Sequence, residues 1–147
     1  MAISYAIKRE EIFLGKRLHH GEPAGKQFVR LSSDKNAKWE RPVHETWQVN
    51  EPVEVLSTPL EHYSAKSVSS FIRKIDYYST INAGYLESRN APVSWWHILA
   101  YPAGKFISNY IVKRGFLDGT HGFLHAAFMS FHSFLTRGKL WILYSKK

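Results

Sequence analysis

His44 and Glu45 are the adjacent pair in this sequence best suited to acid–base chemistry. A carboxylate can take a proton from a substrate hydroxyl, and an imidazole beside it can bind a phosphate or a metal ion. Taken alone, the pair is better explained by a structural role, in which Glu45 forms a surface ion pair with Arg41 and His44 is a bystander.

Further histidines are open to the same two interpretations. His62 stands in His62-Tyr63-Ser64, where a predicted strand gives way to a helix and polar side chains commonly act as caps. His121, His125 and His132 have the spacing of one helix face, which can hold a metal ion. Histidines among aromatic residues on an amphipathic helix are more often structural, so the metal site is the weaker interpretation.

Trp95, Trp96, His97, Tyr101 and Lys105 form a cluster of aromatic and basic residues. Such a cluster can stack on bases, line an acceptor groove or lie at the level of lipid headgroups. Paired tryptophans are also ordinary core residues, and that alternative stays open.

Several classes of site are absent from the sequence. It has no glycine-rich phosphate-binding loop, no Asp-x-Asp and no cysteine. His44-Glu45 has the first two letters of a zinc-protease motif, but Gln48 stands where the second histidine is required. Disulfides, thiolate metal sites and a cysteine nucleophile are therefore excluded.

The composition predicts one folded domain with a basic second half. The chain has 147 residues, of which 44% are apolar and 15% aromatic, enough for a core. The net charge is +8, and residues 67–147 contribute +7 of it (10 Lys/Arg against 3 Asp/Glu). This favours an anionic partner, either acidic lipid or a phosphorylated substrate, although a solvated basic face is the alternative. Nucleic acid is unlikely because no RNA-binding or helix-turn-helix signature is present.

The residue pattern predicts an α+β fold in a single unit. Residues 1–63 indicate short strands and loops, with strands at 27–31, 43–49 and 53–56, the last closed by Pro59. Residues 64–147 indicate three amphipathic helices: 64–90, 92–113 with a break or kink at Pro102, and one from Asp118 or Thr120 to about Leu135. The apolar stretch 122–135 is too short to span a bilayer and suits a core or interfacial helix.

Six segments, in order, resemble the C-terminal portion of one group of family 2 glycosyltransferases, bacterial enzymes related to those of lipopolysaccharide core synthesis. The resemblance runs from about Ile12 to Trp141 and is carried by short elements. They are Phe13-Leu14-Gly15 with His20-Gly21, Arg30-Leu31, Val43-His44-Glu45, Leu60 to Ser64, Tyr77 to Thr80, and Gly115 to Gly119 with Lys139-Leu140-Trp141.

The resemblance implies the C-terminal part of a GT-A-like fold and a set of roles. Glu45 would be the catalytic base for the acceptor hydroxyl, and His44 would lie near the donor phosphate or metal. Arg30 and His62 would bind substrate in the same cleft. The basic helices would hold the enzyme on the cytoplasmic face of the inner membrane, close to a lipid-linked or polysaccharide acceptor.

In such enzymes the nucleotide sugar is held by a preceding α/β half with an Asp-x-Asp site, and these 147 residues contain no such segment. The resemblance therefore implies that this chain alone binds no cofactor, that Mg²⁺ or Mn²⁺ serves the complete enzyme, and that a donor-binding unit is supplied separately or the chain is a fragment. The alternative is a non-catalytic membrane-surface or interaction module. Strands without their sheet neighbours are also expected to leave exposed edges.

Overall fold

The computed structural model describes residues 3–40 and 46–146 and has the predicted α+β fold, with strands first and helices after. The strands are β1 (Ser4–Phe13), β2 (Lys16–Leu18), β3 (Gln27–Leu31), β4 (Lys38–Glu40), β5 (Thr46–Gln48) and β6 (Val53–Ala65). The α-helices are α1 (Val68–Ser88), α2 (Trp95–Ile107) and α3 (Gly119–Ser145). A π-helical turn (Ser108–Val112) and a 3-10 turn (Gly115–Asp118) connect α2 to α3.

Strand β1 is the centre of the main sheet. Strands β2 and β3 pair antiparallel with its two halves along one edge, and β6 pairs parallel along the other. The β1–β2 hairpin turns at Leu14 and Gly15, both in the left-handed region with φ of 49° and 83°. That conformation matches the twist of a two-residue hairpin and is easiest for glycine.

Strands β4 and β5 form a separate antiparallel pair, with Trp39 directly opposite Trp47. Residues 41–45 join these strands in the sequence and lie outside the described residues. The predicted base Glu45 and its neighbour His44 are among them, as is the first part of the strand expected at 43–49.

The prediction that strand β6 ends at Pro59 is wrong. The strand continues through Pro59 to Ala65, and its pairing with β1 shifts register between Leu56 and Leu60. Proline lacks the N–H of a ladder bond and is tolerated at edges and irregular positions. Pro59 lies within the register shift of an edge strand, so the strand passes it without ending.

Helix α1 confirms the most strongly patterned helix of the sequence. Ser67 caps it in a reciprocal arrangement with Ser70, and the two donor–acceptor distances are both 3.2 Å. Asn90, with φ of 52°, follows its end. Helical spacing brings Phe71, Ile75 and other apolar side chains to one buried face.

Helix α2 is more continuous than predicted, and helix α3 is longer. The sequence predicted a break or a kink at Pro102. Pro102 does not end the helix, because α2 runs through it to Ile107. Packing along α3 supports this stretch, and the hydroxyl of Ser130 donates to the Pro102 carbonyl at 2.8 Å. Helix α3 also continues ten residues past Leu135, to Ser145.

The core lies where the end of the main sheet meets α1 and α3. Phe13, from the last position of β1, is fully buried against Phe71 of α1 and Phe128 of α3. The rest of the cluster is also apolar, and includes Leu18, Ala65 and Ile75. None of the helices in the described part of the chain is both long and apolar enough to cross a membrane.

Candidate functional site

Asp118 joins the sheet to the helices. Its carboxylate, only 4% exposed, accepts the backbone N–H groups of His19 and His20, and His20 Nδ1 lies 3.1 Å from Asp118 Oδ1. Burial alone would raise the pKa of Asp118, but the hydrogen bonds from the His20 side chain and from the two backbone N–H groups outweigh it and lower that pKa. The carboxylate is therefore held ionised as a structural tie.

The close packing around Asp118 explains why two positions of the 115–122 segment are glycine. The backbone N–H of Gly21 donates to the Lys113 carbonyl at 2.9 Å, beside the Asp118 contact. A Cβ on Gly122 would overlap the Gly115 carbonyl oxygen, and one on Gly115 would lie 2.7 Å from the Asn109 carbonyl oxygen. The sequence elements around Gly21 and around Gly115–Gly119 thus meet at one tightly packed contact.

Glu22 forms a second polar contact between the loop after β2 and the helices. Its carboxylate lies 2.8 Å from Lys105 Nζ and 3.6 Å from Lys26 Nζ, and the Asn109 amide donates to it. Burial acts to raise the pKa of Glu22, but the hydrogen bond and charge of Lys105, with the charge of Lys26, lower it to about 2. Lys105, expected in an aromatic-basic cluster, is thus engaged with this carboxylate.

His62 lies on β6 opposite Glu11 of β1. His62 Nδ1 is 3.0 Å from Glu11 Oε2, and Arg9, two residues earlier on β1, pairs with the same carboxylate oxygen at 3.3 Å. Glu11 is 4% exposed and is therefore a buried charge held by two partners. This contact orients the His62 ring, whose Nε2 is then the atom left to meet a ligand.

Arg30 lies elsewhere on the sheet. It belongs to β3, and its guanidinium is 5.2 Å from the centre of the Phe28 ring and 5.8 Å from that of Trp39. Its neighbour Val29 pairs with Ala6 of β1, five residues from the Glu11 position opposite His62. Five residues of strand span about 17 Å, and β3 and β6 flank opposite sides of β1. The backbone therefore keeps Arg30 and His62 well apart.

The three helical histidines form no metal site in the described structure. His125 packs edge-on against Phe13 with ring centres 5.3 Å apart, and burial lowers its pKa even though Glu11 and Glu22 act to raise it. A neutral imidazole is thus held in the core. Across residues 3–40 and 46–146, no group of three or more histidine and carboxylate side chains is placed to hold a metal ion.

The outer side of α2 is apolar and exposed. In the described structure none of the thirteen α2 residues is buried. Trp95, Leu99 and Ile107 recur every four or eight positions along the helix and are 71%, 62% and 53% exposed. Val112, Phe116 and Leu117, in the turns that follow α2, are apolar and exposed as well. We call this set of residues the α2 face.

Sequence reasoning missed two features of the sheet. Half-buried Arg9 and buried Glu11 interrupt the apolar alternation of β1, so the central strand gave little strand signal. The stacked pair Trp39 and Trp47 was visible as two similar segments, Lys-Trp-Glu and Thr-Trp-Gln, on either side of residues 41–45. A hairpin prediction across those residues would have placed the two rings together.

No protein family model matches this chain, and no solved structure matches it.

Proposed function

We propose that this chain is the acceptor-side part of a family 2-like glycosyltransferase that works at an anionic membrane surface. The proposal starts from the sequence resemblance described above. The structural observation that best supports it is the open outer edge of β6, beside a parallel pairing with β1. A separate donor-binding α/β unit would have such an edge available for pairing.

Strand β6 is long, parallel-paired and uncovered. Within the described residues it pairs only with β1, and Val53, Val55, Leu60 and Tyr63 along it are 45–63% exposed. Sheets built only of parallel strands almost always have both faces covered by helices, and in this mixed sheet β6 is the parallel strand at the edge. A further strand with its helices, from a donor-binding unit outside these residues, would cover β6 and remove the exposed edge.

In this proposal the residues have the roles that the resemblance implies. Glu45 takes the proton of the acceptor hydroxyl as it attacks the anomeric carbon, and His44 lies near the donor diphosphate. His62, oriented by Glu11, lies on β6, and the donor unit would dock on the other edge of this strand. Arg30 contacts a different part of the substrate. Mg²⁺ or Mn²⁺ would be held by the donor unit and would stabilise the leaving diphosphate.

The α2 face supports the membrane part of the proposal. Tryptophan and tyrosine side chains favour the membrane–water interface, and Trp95 and Trp96 lie at one end of this face. Lys113 and Arg114, both exposed, lie near the other end. From residue 88 to residue 117 the sequence has no acidic side chain. An apolar face with basic flanks binds anionic bilayers through both burial and charge.

The α2 face also favours a second candidate, a non-catalytic membrane-surface module. In that case the basic helices are the function and Glu45 is inert. Both candidates predict binding to anionic vesicles, so vesicle binding alone does not separate them.

The test is a Glu45→Gln change in the complete enzyme. The DNA beside the coding region is first searched for an α/β segment carrying Asp-x-Asp, which is then produced together with this chain. Transfer of radiolabelled sugar from a panel of nucleotide sugars to a lipid extract is measured, with Mg²⁺ or Mn²⁺ present. We expect Glu45→Gln to abolish transfer and leave vesicle binding unchanged.

Asp76→Asn is the matched control, since Asp76 lies in the middle of α1 and pairs with Lys139 of α3, and we expect it to retain transfer. Transfer that survives Glu45→Gln shows that Glu45 is not the base. Failure to find any donor unit, with vesicle binding intact, favours the membrane-surface module.

A further inference from the structure

The β4–β5 hairpin carries a stacked pair of tryptophan rings that the described residues leave partly exposed. The rings of Trp39 and Trp47 stack with their centres 5.5 Å apart and their planes within 5°. They are opposite residues of the two strands, so their side chains lie on the same face of the hairpin. Trp39 nevertheless remains 55% exposed.

A small open cleft adjoins this pair, between β3 and β5. Its volume is about 230 Å³, and its lining residues are Gln27, Phe28, Val29, Arg30, Thr46, Trp47 and Gln48. Arg30 lies over both Phe28 and Trp39 and so connects the cleft to the stacked pair. We call Trp39, Trp47, Arg30, Gln27 and Gln48 the tryptophan platform.

The chemistry of the tryptophan platform suits a sugar ring. The C–H groups on one face of a pyranose pack well against the negative face of an aromatic ring. Sugar hydroxyls both donate and accept hydrogen bonds, and the side-chain amides of Gln27 and Gln48 can do the same. An aromatic floor with a few polar groups at its rim is the usual construction of a small-molecule site.

A purely structural role accounts less well for the arrangement. A cross-strand aromatic pair does stabilise a hairpin, and a two-stranded hairpin is marginal alone. That role does not involve the exposed side of Trp39 or the polar residues of β3 and β5 that line the cleft.

We propose that the tryptophan platform binds a pyranose ring of a saccharide. In the context of the proposed function, on which this identification rests, that saccharide is part of the acceptor. A nucleoside could also stack on tryptophan. A nucleotide, however, brings two or more negative charges, and Arg30 is the only cation among the cleft's described lining residues, while Glu40 accepts a hydrogen bond from Gln48 beside it.

The test uses the purified chain and two-dimensional NMR of the tryptophan indole N–H groups, of which the sequence has five. The probes are the methyl glycosides of glucose, galactose, mannose and N-acetylglucosamine at millimolar concentration, with uridine and UMP for comparison. Single Trp→Ala variants assign each signal. We expect at least one glycoside to shift the signals of Trp39 and Trp47 and to leave those of Trp95, Trp96 and Trp141 in place.

Two variants test the contacts themselves. Trp39→Ala should weaken glycoside binding by about tenfold, the size of one lost stacking contact. Arg30→Met keeps the apolar part of the side chain and removes its donors, so it should weaken binding while preserving the hairpin. Trp141→Ala, on α3, is the control and should change nothing. Circular dichroism checks that each variant is folded.

Three results overturn the proposal: no glycoside shifts the platform signals, binding survives Trp39→Ala and Arg30→Met, or only uridine and UMP bind. Glycoside binding at the tryptophan platform and sugar transfer can succeed or fail independently of each other. Glycoside binding without any transfer supports the tryptophan platform and counts against the glycosyltransferase. Transfer without glycoside binding at the platform does the reverse.

Discussion

The carboxylate of Asp118 receives the backbone N–H of His20 at 2.8 Å and lies 3.1 Å from the Nδ1 of the same residue, although the two are 98 positions apart. His20 follows the β1–β2 hairpin, and Asp118 ends the turn before α3. This residue pair thus helps to fix how the helices sit on the end of the sheet. Asp118 belongs to Gly115–Gly119, one of the segments that carry the resemblance.

Replacing Asp118 by Asn should destabilise the protein. The change removes the charge that three hydrogen-bonding groups share, and hydrogen bonds to charged groups contribute about 1.5–3 kcal/mol. We expect a loss of about 2 kcal/mol in the free energy of unfolding, measured by urea denaturation. Asp76→Asn is the control, because Asp76 pairs with Lys139 on the surface and such pairs contribute about 0–1 kcal/mol. Equal losses of unfolding free energy in the two variants would contradict the role of Asp118 in joining the sheet to the helices.

Gly122 and Gly138, both inside α3, should respond in opposite ways to alanine. At Gly122 the added Cβ would overlap the Gly115 carbonyl, so we expect Gly122→Ala to lower the melting temperature or to prevent folding. At Gly138 nothing lies within 4 Å of an added Cβ. Gly138→Ala should stabilise the helix by about 0.5–1 kcal/mol, because alanine loses less backbone freedom. Thermal melts compare the two, and a stabilising Gly122→Ala would show that the contact is loose.

Stability should decline in acid partly because of Glu22. Burial would raise its pKa, but Lys105 and Lys26 lower it from 4.5 in the unfolded chain to about 2 in the folded protein. The stability contributed by ionised Glu22 is therefore fully present above about pH 4.5 and is lost as the pH falls towards 2. This contribution to the free energy of unfolding is about 3 kcal/mol. Asp118, whose pKa is also lowered, contributes to the same loss of stability in acid.

Glu22→Gln tests this assignment. Urea unfolding from pH 6 to pH 2 should show a shallower acid decline in the variant than in the wild-type protein. Glu54→Gln is the control, since Glu54 is exposed on β6. A decline of unchanged steepness in Glu22→Gln would assign the acid sensitivity to other carboxylates.

The α2 face should control binding to anionic membranes. Each basic residue near a membrane surface contributes about 1 kcal/mol, so Lys113→Gln with Arg114→Asn should weaken binding by about 2 kcal/mol, or roughly thirtyfold. Asn is chosen for position 114 because Arg114 has φ of 56° and Asn tolerates that conformation. Co-sedimentation with phosphatidylserine-containing vesicles measures the change.

Two further variants test whether the α2 face, rather than any exposed apolar residue, contacts the bilayer. Leu99→Glu should also reduce vesicle binding, whereas Tyr77→Glu, at a site 64% exposed on α1, should not. Equal effects at Leu99 and Tyr77 would mean that no particular surface contacts the bilayer.

Elements with complete local signals were predicted well from the sequence. Helix α1 has an apolar stripe, a Ser67 cap and a clear end, and its bounds differ by only a few residues from the expected ones. Pro59 and Pro102 misled the prediction because tertiary context tolerates both: one lies at an irregular edge and the other in a helix supported by α3. Strand β1 was missed because Arg9, Glu11 and His62 satisfy one another across strands that are distant in sequence.

The arrangement of candidate site residues depends on register, which local pattern does not specify. Arg30 and His62 were expected in one cleft, but they occupy strands on opposite sides of β1. That both contact substrate stays a prediction, and any shared ligand would have to be an extended one. His44 and Glu45 lie outside the described residues, so their roles stay a prediction from the resemblance.

Sugar transfer by the complete enzyme is the most direct measurement. The chain, combined with its donor-binding unit, is incubated with radiolabelled nucleotide sugars, lipid extract and Mg²⁺ or Mn²⁺, and label in the lipid fraction is counted. The proposed function predicts transfer by the wild-type chain and by Asp76→Asn, and none by Glu45→Gln. Transfer at the wild-type rate by Glu45→Gln would contradict the role of Glu45, and no transfer by the wild-type chain with any donor would contradict the glycosyltransferase itself.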